Sequence, residues 1–331
     1  MLKSAQFRRE REVVWKELDR LLQTMEQGHR DRLTPQELMR LPSLYRATLS
    51  SLSVARGISL DQSLLQYLEN LASRAYFQIY GPRAGITQVI YSFLVWDFPN
   101  AVRRLAPHVA LSAVLLLIGI YAGFSLTSQD NEWYYTFVPA EMAGDRTPTS
   151  TTAELRDVLY GDRHAADDLS VFASFLFVHN SKIGLACFAL GFALGLPTLF
   201  LTLFNGVSFG AFVALYTGRG LGTELGGWLI IHGSTELLAL TLCSGAGLAL
   251  ADAVIFPRHR SRSATLAEMG PTAGIIALGA VLMFLVAGVL EGIGRQSIED
   301  TPTRYAIGLF MAVAWLTYFL FAGRGAQHGG D

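Results

Sequence analysis

From Ile183 to Phe256 the chain is almost continuously apolar. It reads IGLACFALGFALGLPTLFLTLFNGVSFGAFVALY and then, after a Gly-rich break, GGWLIIHGSTELLALTLCSGAGLALADAVIF. A helix needs roughly 20 apolar residues to cross the hydrocarbon core of a bilayer, where every backbone polar group must be satisfied internally. Runs of this length predict an all-α fold, a polytopic membrane helix bundle in contact with the lipid bilayer. Within the last run stand His232 and Glu236, four residues apart. Ionisable groups at such depth are costly and usually face the bundle interior or a cavity.

Further apolar runs complete the set. The predicted spans cover about 105–126, 172–203, 207–217, 227–255, 272–290 and 305–322, six in all. The third is short because Asn205-Gly206 reads as a turn. The transmembrane bundle thus occupies 99–324, followed by a C-terminal tail over 325–331. Arg103 and Arg104 precede the first span, Arg258, Arg260 and Arg262 follow the fourth, and Arg324 follows the last. By the excess of basic residues in cytoplasmic loops, this pattern places both termini in the cytoplasm and the acidic segment 128–170 outside. Ser128–Lys182 holds 4 Lys/Arg against 9 Asp/Glu, whereas residues 1–104 hold 15 against 10. No basic stripe or nucleic-acid motif accompanies that excess, so no nucleic-acid partner is expected. The first 30 residues lack the apolar core of a signal peptide, which agrees with a cytoplasmic N-terminus.

Residues 1–98 read as a cytoplasmic helical domain ending in an interfacial helix. Phe7, Val14, Leu18, Leu21 and Met25 share one face of a first helix. Thr34-Pro35-Gln36-Glu37 is a capping box with proline at the first helical position, and Pro42 is expected to kink or restart the helix it opens. Ser59-Leu60-Asp61-Gln62 is a second capping box, and Gly81-Pro82 ends its helix. Arg46, Arg56 and Arg74 read as solvated or salt-bridged surface residues. Ile86–Trp96 is amphipathic and too short to span, which suits the membrane surface, with Pro99 breaking it. Trp133, Tyr134 and Tyr135 read as an interfacial anchor, and Cys187 and Cys243 as small packing residues.

The candidate functional residues are polar groups in the apolar spans: His232, Glu236, Asn205, Glu291 and Asn180. Gly191, Gly195, Gly206, Gly210, Gly233, Gly288 and Gly292 are candidate points of close helix packing. The Gly-x-x-x-Gly pairs among them serve packing within the chain or a homo-oligomer, and the spacing does not separate the two. His232 and Glu236 can satisfy each other along one helix face. The usual His-Glu-x-x-His spacing of a zinc hydrolase is missing, so no catalytic residue, metal or cofactor is expected and the chain is not read as an enzyme.

Over nearly its whole length the chain resembles the stage II sporulation protein M family of bacterial and archaeal integral membrane proteins, in its non-sporulating bacterial form. The likeness rests on Leu41-Pro-x-Leu44-Tyr45-Arg46, Ala55-Arg56, Val138-Pro139-Ala140-Glu141-Met142 and Asn180. It continues through Phe188-Ala-Leu-Gly191, Phe204-Asn205-Gly206-x-x-x-Gly210, His232-Gly233-x-x-Glu236 and Ala287-Gly288-x-x-Glu291-Gly292. His179 stands where the family usually has a second asparagine. The resemblance implies a protein of the bacterial cytoplasmic (inner) membrane that acts as a scaffold or assembly component of a cell-envelope complex. The namesake helps assemble peptidoglycan-degrading machinery at the septum of spore formers. Relatives elsewhere accompany MoxR-type AAA+ ATPases, so the implied partners are other membrane or envelope proteins and a cytoplasmic AAA+ ATPase. Two alternatives remain open: a transporter or channel-like protein with a polar site at His232/Glu236, and a membrane-embedded hydrolase with His232, Glu236 and Glu291 as its metal ligands.

Overall fold

The computed structural model describes residues 2–27, 32–57, 62–80, 85–160, 166–257, 260–294, 298 and 300–324, without the side chains of 2–6, 166–176 and 293–294. The second capping box, the Gly81-Pro82 stop, Arg258 and the tail 325–331 lie wholly or partly outside the described residues. The chain forms two compact units, Met1–Val89 and Ile90–Asp331, so the predicted boundary at residue 98 moves back to residue 89.

In the first unit, α1 (Leu2–Glu26), α2 (Pro35–Gly57) and α3 (Gln62–Tyr80) enclose a core of their own. Leu18, Leu21, Leu44, Leu68 and Leu71 fill it together with Trp15 and Leu22, which the predicted face of α1 had omitted. The capping box forms as read: the Glu37 amide donates to Thr34 Oγ1 at 3.3 Å, and the Thr34 amide donates to Glu37 Oε2 at 2.9 Å. Pro42 neither breaks nor restarts α2, which runs through it. It lies in the second turn, so the one backbone bond its ring removes is near the helix end.

Arg74 clamps α3 to α1 through Asp19 at 2.7 Å and Glu26 at 2.8 Å, and Arg56 reaches Glu69 at 2.7 Å. The Arg74 guanidinium holds the Glu26 carboxyl below its usual range. Arg20 and the Thr34 cap together hold Glu37 at about 2, against an ordinary value of 4.5. Carboxyls whose folded values are depressed contribute stability above their unfolded values and lose it as pH falls through the folded ones. The urea midpoint of residues 1–89 is therefore expected to fall as pH drops from about 4.5 to about 2, modestly because both carboxyls face solvent. An unchanged midpoint across that window would remove these pairs from the stability of the unit.

The second unit is an all-α polytopic bundle. It begins within α4 (Ile86–Ser92), which passes through a π turn over Phe93–Asp97 into α5 (Phe98–Arg104). Pro99, expected to break the chain, sits in the first turn of α5, where a missing amide costs nothing. Phe98 is buried against Phe319, ring centres 5.3 Å apart.

Five helices among the described residues are long and apolar enough to cross a membrane. They are α6 (Ala106–Gln129), α11 (Leu196–Gly218), α12 (Gly222–Ile255), α13 (Arg262–Val289, continued by a π turn over Leu290–Gly294) and α14 (Thr301–Phe321). Between α6 and α11 come three short helices, α7 (Glu132–Phe137), α8 (Ala140–Ala143) and α9 (Thr152–Tyr160), and then α10 (Ala166–Ala189). Helix α10 packs against α12 and α13.

The predicted second and third spans are corrected. The chain turns at Leu190–Gly195, not at Asn205-Gly206. Leu194 and Gly195 both take positive φ, 61° and 70°, and Pro197 opens α11. Proline cannot continue a helix from the preceding segment but suits a first turn. The third span is accordingly a full 23-residue helix with Asn205 and Gly206 in its interior.

Helix α12 is the axis of the bundle, in contact with α6, α10, α11, α13 and α14. Cys187 and Cys243 are buried and unpaired in its core, as expected. The closest crossing is between α6 and α11. A Cβ on Gly206 would stand 2.5 Å from the Leu116 carbonyl oxygen, and one on Gly119 2.5 Å from that of Leu203. The Gly206/Gly210 pair thus meets Gly119/Gly123 of the same chain, and this motif is used for packing within the chain. Gly191 likewise meets Gly247 backbone to backbone.

Candidate functional site

The acidic segment is a folded cap at one end of the bundle. Tyr134, predicted as an interfacial anchor, is fully buried with Val138, Leu155 and Leu159 against Leu215, Tyr216 and Leu225 of α11 and α12. Its hydroxyl donates to the Arg146 carbonyl at 2.5 Å, and burial raises its pKa. Trp133 and Tyr135 stay exposed on the outside of the cap. Ser208 of α11 donates to the Phe137 carbonyl at 2.6 Å, and Arg219 reaches the Pro148 carbonyl at 2.5 Å. Arg146 is held by the carbonyls of Met142 and Ala143, with its guanidinium 4.9 Å from the Phe212 ring centre.

Beneath the cap lies a cavity of about 630 Å³. Its upper rim carries Glu141, Met142, Asp145 and Arg146. Its walls come from Phe209 and Phe212 of α11, Trp228 of α12, and His179 and Asn180 of α10. Its floor is formed by His232, Gly233, Glu236 and Glu291.

Three of the predicted polar residues converge here. One nitrogen or oxygen atom from each of His232, Glu236 and Glu291 lies within 4.8 Å of the others. His232 and Glu236 reach the floor because residues four apart share a helix face. Glu291 arrives from the π turn after α13, where an extra residue in the helical turn re-aims side chains; such bulges recur at functional sites. His232 also pairs across helices, with Glu291, Nε2 to Oε2 3.7 Å. The His232 and Glu291 side chains are 5% and 6% exposed, and Trp228 packs edge-on to the imidazole at 5.6 Å. Two carboxylates around one imidazole can hold a cation, share a proton, or pair among themselves.

Asn180 joins the site as a wall residue. Asn205 does not, because its amide donates to the Leu201 carbonyl at 2.8 Å inside α11. Gly233 is no point of close helix contact, since a Cβ there would meet only Leu229 of its own helix, at 4.0 Å. Gly195 serves the turn before α11, while Gly288 and Gly292 are buried near the π turn. Sequence reasoning missed His179, treated only as a substitution for asparagine, although it precedes Asn180 on the same helix.

A family model for stage II sporulation protein M matches residues 112–294, more than half of the chain and all of the cavity. The chain belongs to the stage II sporulation protein M family. A second family model, for a domain of unknown function (DUF8413), matches residues 5–81, the three-helix unit. No curated protein and no solved structure gives a significant match. Seven of the residues that carried the family resemblance in the second unit line the cavity: Glu141, Met142, Asn180, His232, Gly233, Glu236 and Glu291.

Proposed function

We propose that this member of the family is a cytoplasmic-membrane component of a cell-envelope complex, which docks a cytoplasmic partner on its N-terminal helices. The observation that carries this reading is the division of labour within the chain. Met1–Val89 is a separately packed unit with its own core and a surface laced with ion pairs. No cluster of metal-ligating side chains is found among its described residues, so it is suited to binding a protein. The family resemblance implies an AAA+ ATPase as that partner.

The orientation follows from charge. Arg103 donates to the Phe319 carbonyl at 2.7 Å and Arg104 to Thr272 Oγ1 at 3.4 Å. These bonds tie the basic end of α5 to α13 and to the end of α14, and basic residues favour the cytoplasmic side. In this reading the cap and cavity face outward. With the native cysteines replaced, a membrane-impermeant thiol reagent added to intact cells should label Thr149→Cys and spare Ser263→Cys; the opposite pattern reverses the orientation. Deleting residues 1–85 in the native host should remove a cytoplasmic protein from the purified complex and leave the rest in the membrane. An unchanged set of co-purifying proteins would refute the docking role.

A transport role is the second reading, and the cavity favours it. If the polar floor serves only helix packing, His232→Gln combined with Glu236→Gln should preserve function better than either alanine variant. A folded, partner-bound but inactive double variant would promote transport over scaffolding.

A further inference from the structure

We propose that His232, Glu236 and Glu291 form a binding site for one divalent first-row transition-metal ion, with a further coordination position open to the cavity. This goes beyond the scaffold reading and does not depend on it. It also raises a metal set that the sequence reading ranked low, because the His-Glu-x-x-His spacing on a single helix is missing. The third donor comes instead from a different helix, 55 residues further along the chain.

The donor spacing is close to that of a metal-bound set. Zinc binds imidazole nitrogen and carboxylate oxygen at roughly 2.1 Å, which places two donors of a tetrahedral ion about 3.4 Å apart. His232 Nε2 and Glu291 Oε2 are 3.7 Å apart, and one donor atom from each of the three residues lies within 4.8 Å of the others. Side-chain shifts of about 1 Å would complete the shell, within the reach of glutamate rotamers.

Charge points the same way. Two carboxylates and a neutral imidazole around a divalent ion sum to zero, the combination a low-dielectric interior tolerates best. The approach is acidic as well. Glu141 and Asp145 stand at the rim, and the one arginine there, Arg146, is turned onto the carbonyls of Met142 and Ala143 and the face of Phe212. A cation entering under the cap meets carboxylates at the mouth and again on the floor. Mixed nitrogen and oxygen donors suit zinc, manganese or iron(II) better than calcium, which takes six to eight oxygens.

The test uses the full-length protein in detergent, carrying a tag without histidines, stripped with a chelator and reloaded with Zn²⁺ or Co²⁺. The expected result is one tightly held ion per chain and visible ligand-field bands for Co²⁺. His232→Ala, Glu236→Gln and Glu291→Gln should each weaken binding by about 100-fold or more, since changes merely behind a metal ligand already cost roughly 10–100-fold. Glu141→Gln should leave the stoichiometry at one. Failure of the wild-type protein to retain an ion overturns the proposal, as does full retention in the three floor variants. Should those variants not fold, X-ray absorption of the zinc-loaded wild type decides. A shell with imidazole and oxygen scatterers supports the site, and a sulfur or oxygen-only shell refutes it.

Discussion

Gly123→Leu is expected to disrupt the bundle strongly. Helices α6 and α11 cross with their backbones in contact, and even a methyl group on Gly123 would overlap the Val207 backbone. Leucine adds three more carbons at a place where no flexible side chain can withdraw. Overpacking a tight site commonly costs 1–3 kcal/mol, and here the obstacle is backbone, so a loss of at least about 3 kcal/mol is expected. The same reasoning covers Gly210→Leu, which faces Ile120 and Phe124 across the same crossing. Gly233→Ala supplies the contrast. Only Leu229 of its own helix lies near, at 4.0 Å, so this change should cost less than about 1 kcal/mol while trimming the cavity. Thermal unfolding of the detergent-purified variants measures all three. A Gly123→Leu protein that melts with the wild type would mean that α6 and α11 do not cross as described.

That crossing also shows how far the sequence could be read. Gly206-x-x-x-Gly210 was visible as a packing motif, but its partner Gly119-x-x-x-Gly123 lies in a span whose apolar residues give no pattern of faces. A lipid-facing side and a buried side are equally hydrophobic, so periodicity cannot assign neighbours in a membrane helix as it does for α1 or α3. The turn between α10 and α11 was misplaced for a related reason. Asn205-Gly206 is a strong turn signal in soluble proteins, whereas within α11 the asparagine amide bonds the carbonyl four residues back and Gly206 serves the crossing. Leu194-Gly195-Leu196-Pro197 held the better signal, a left-handed glycine before a helix-opening proline.

The candidate site was half legible. An ionisable pair inside an apolar span announces itself in any sequence, and His232 and Glu236 were found that way. Their relation to Glu291 depends on where a π turn ends α13, and no local pattern fixes that. The cap was the least legible part. Its acidic composition suggested a loop, yet Tyr134, Leu155 and Leu159 bury themselves against α11 and α12. Burial there depends on contacts far apart in sequence.

The remaining large effect is expected at Arg304, which sequence reasoning passed over and which is 1% exposed. It lies in the first turn of α14, behind Asp300, whose carboxylate accepts from the Thr303 amide at 2.9 Å. Its Nε donates to the Ile298 carbonyl at 2.7 Å, and its guanidinium lies 5.0 Å from the ring centre of Tyr160 on α9. The Tyr160 hydroxyl in turn meets Thr301 Oγ1 at 3.2 Å. One side chain thus ties the cap to the start of the last span, next to the place where α14 packs on Gly227 of α12. Arg304→Ala removes the charge, the stem and the donor together, leaving a void and a carbonyl that has lost its partner. A buried carbonyl that loses its donor costs roughly 1–3 kcal/mol and the void adds to that, so a loss of about 3 kcal/mol is expected here. Arg304→Met also leaves the Ile298 carbonyl without this donor but keeps the stem and fills most of the space, so about 1 kcal/mol is expected. Arg304→Lys should fall between them, because a lysine ammonium keeps the charge but loses the planar face set over Tyr160. Unfolding measurements on the three variants should therefore rank Met above Lys above Ala. If the lysine variant matched the wild type while methionine fell with alanine, charge alone would be holding the cap, and the stacked geometry would carry none of the stability.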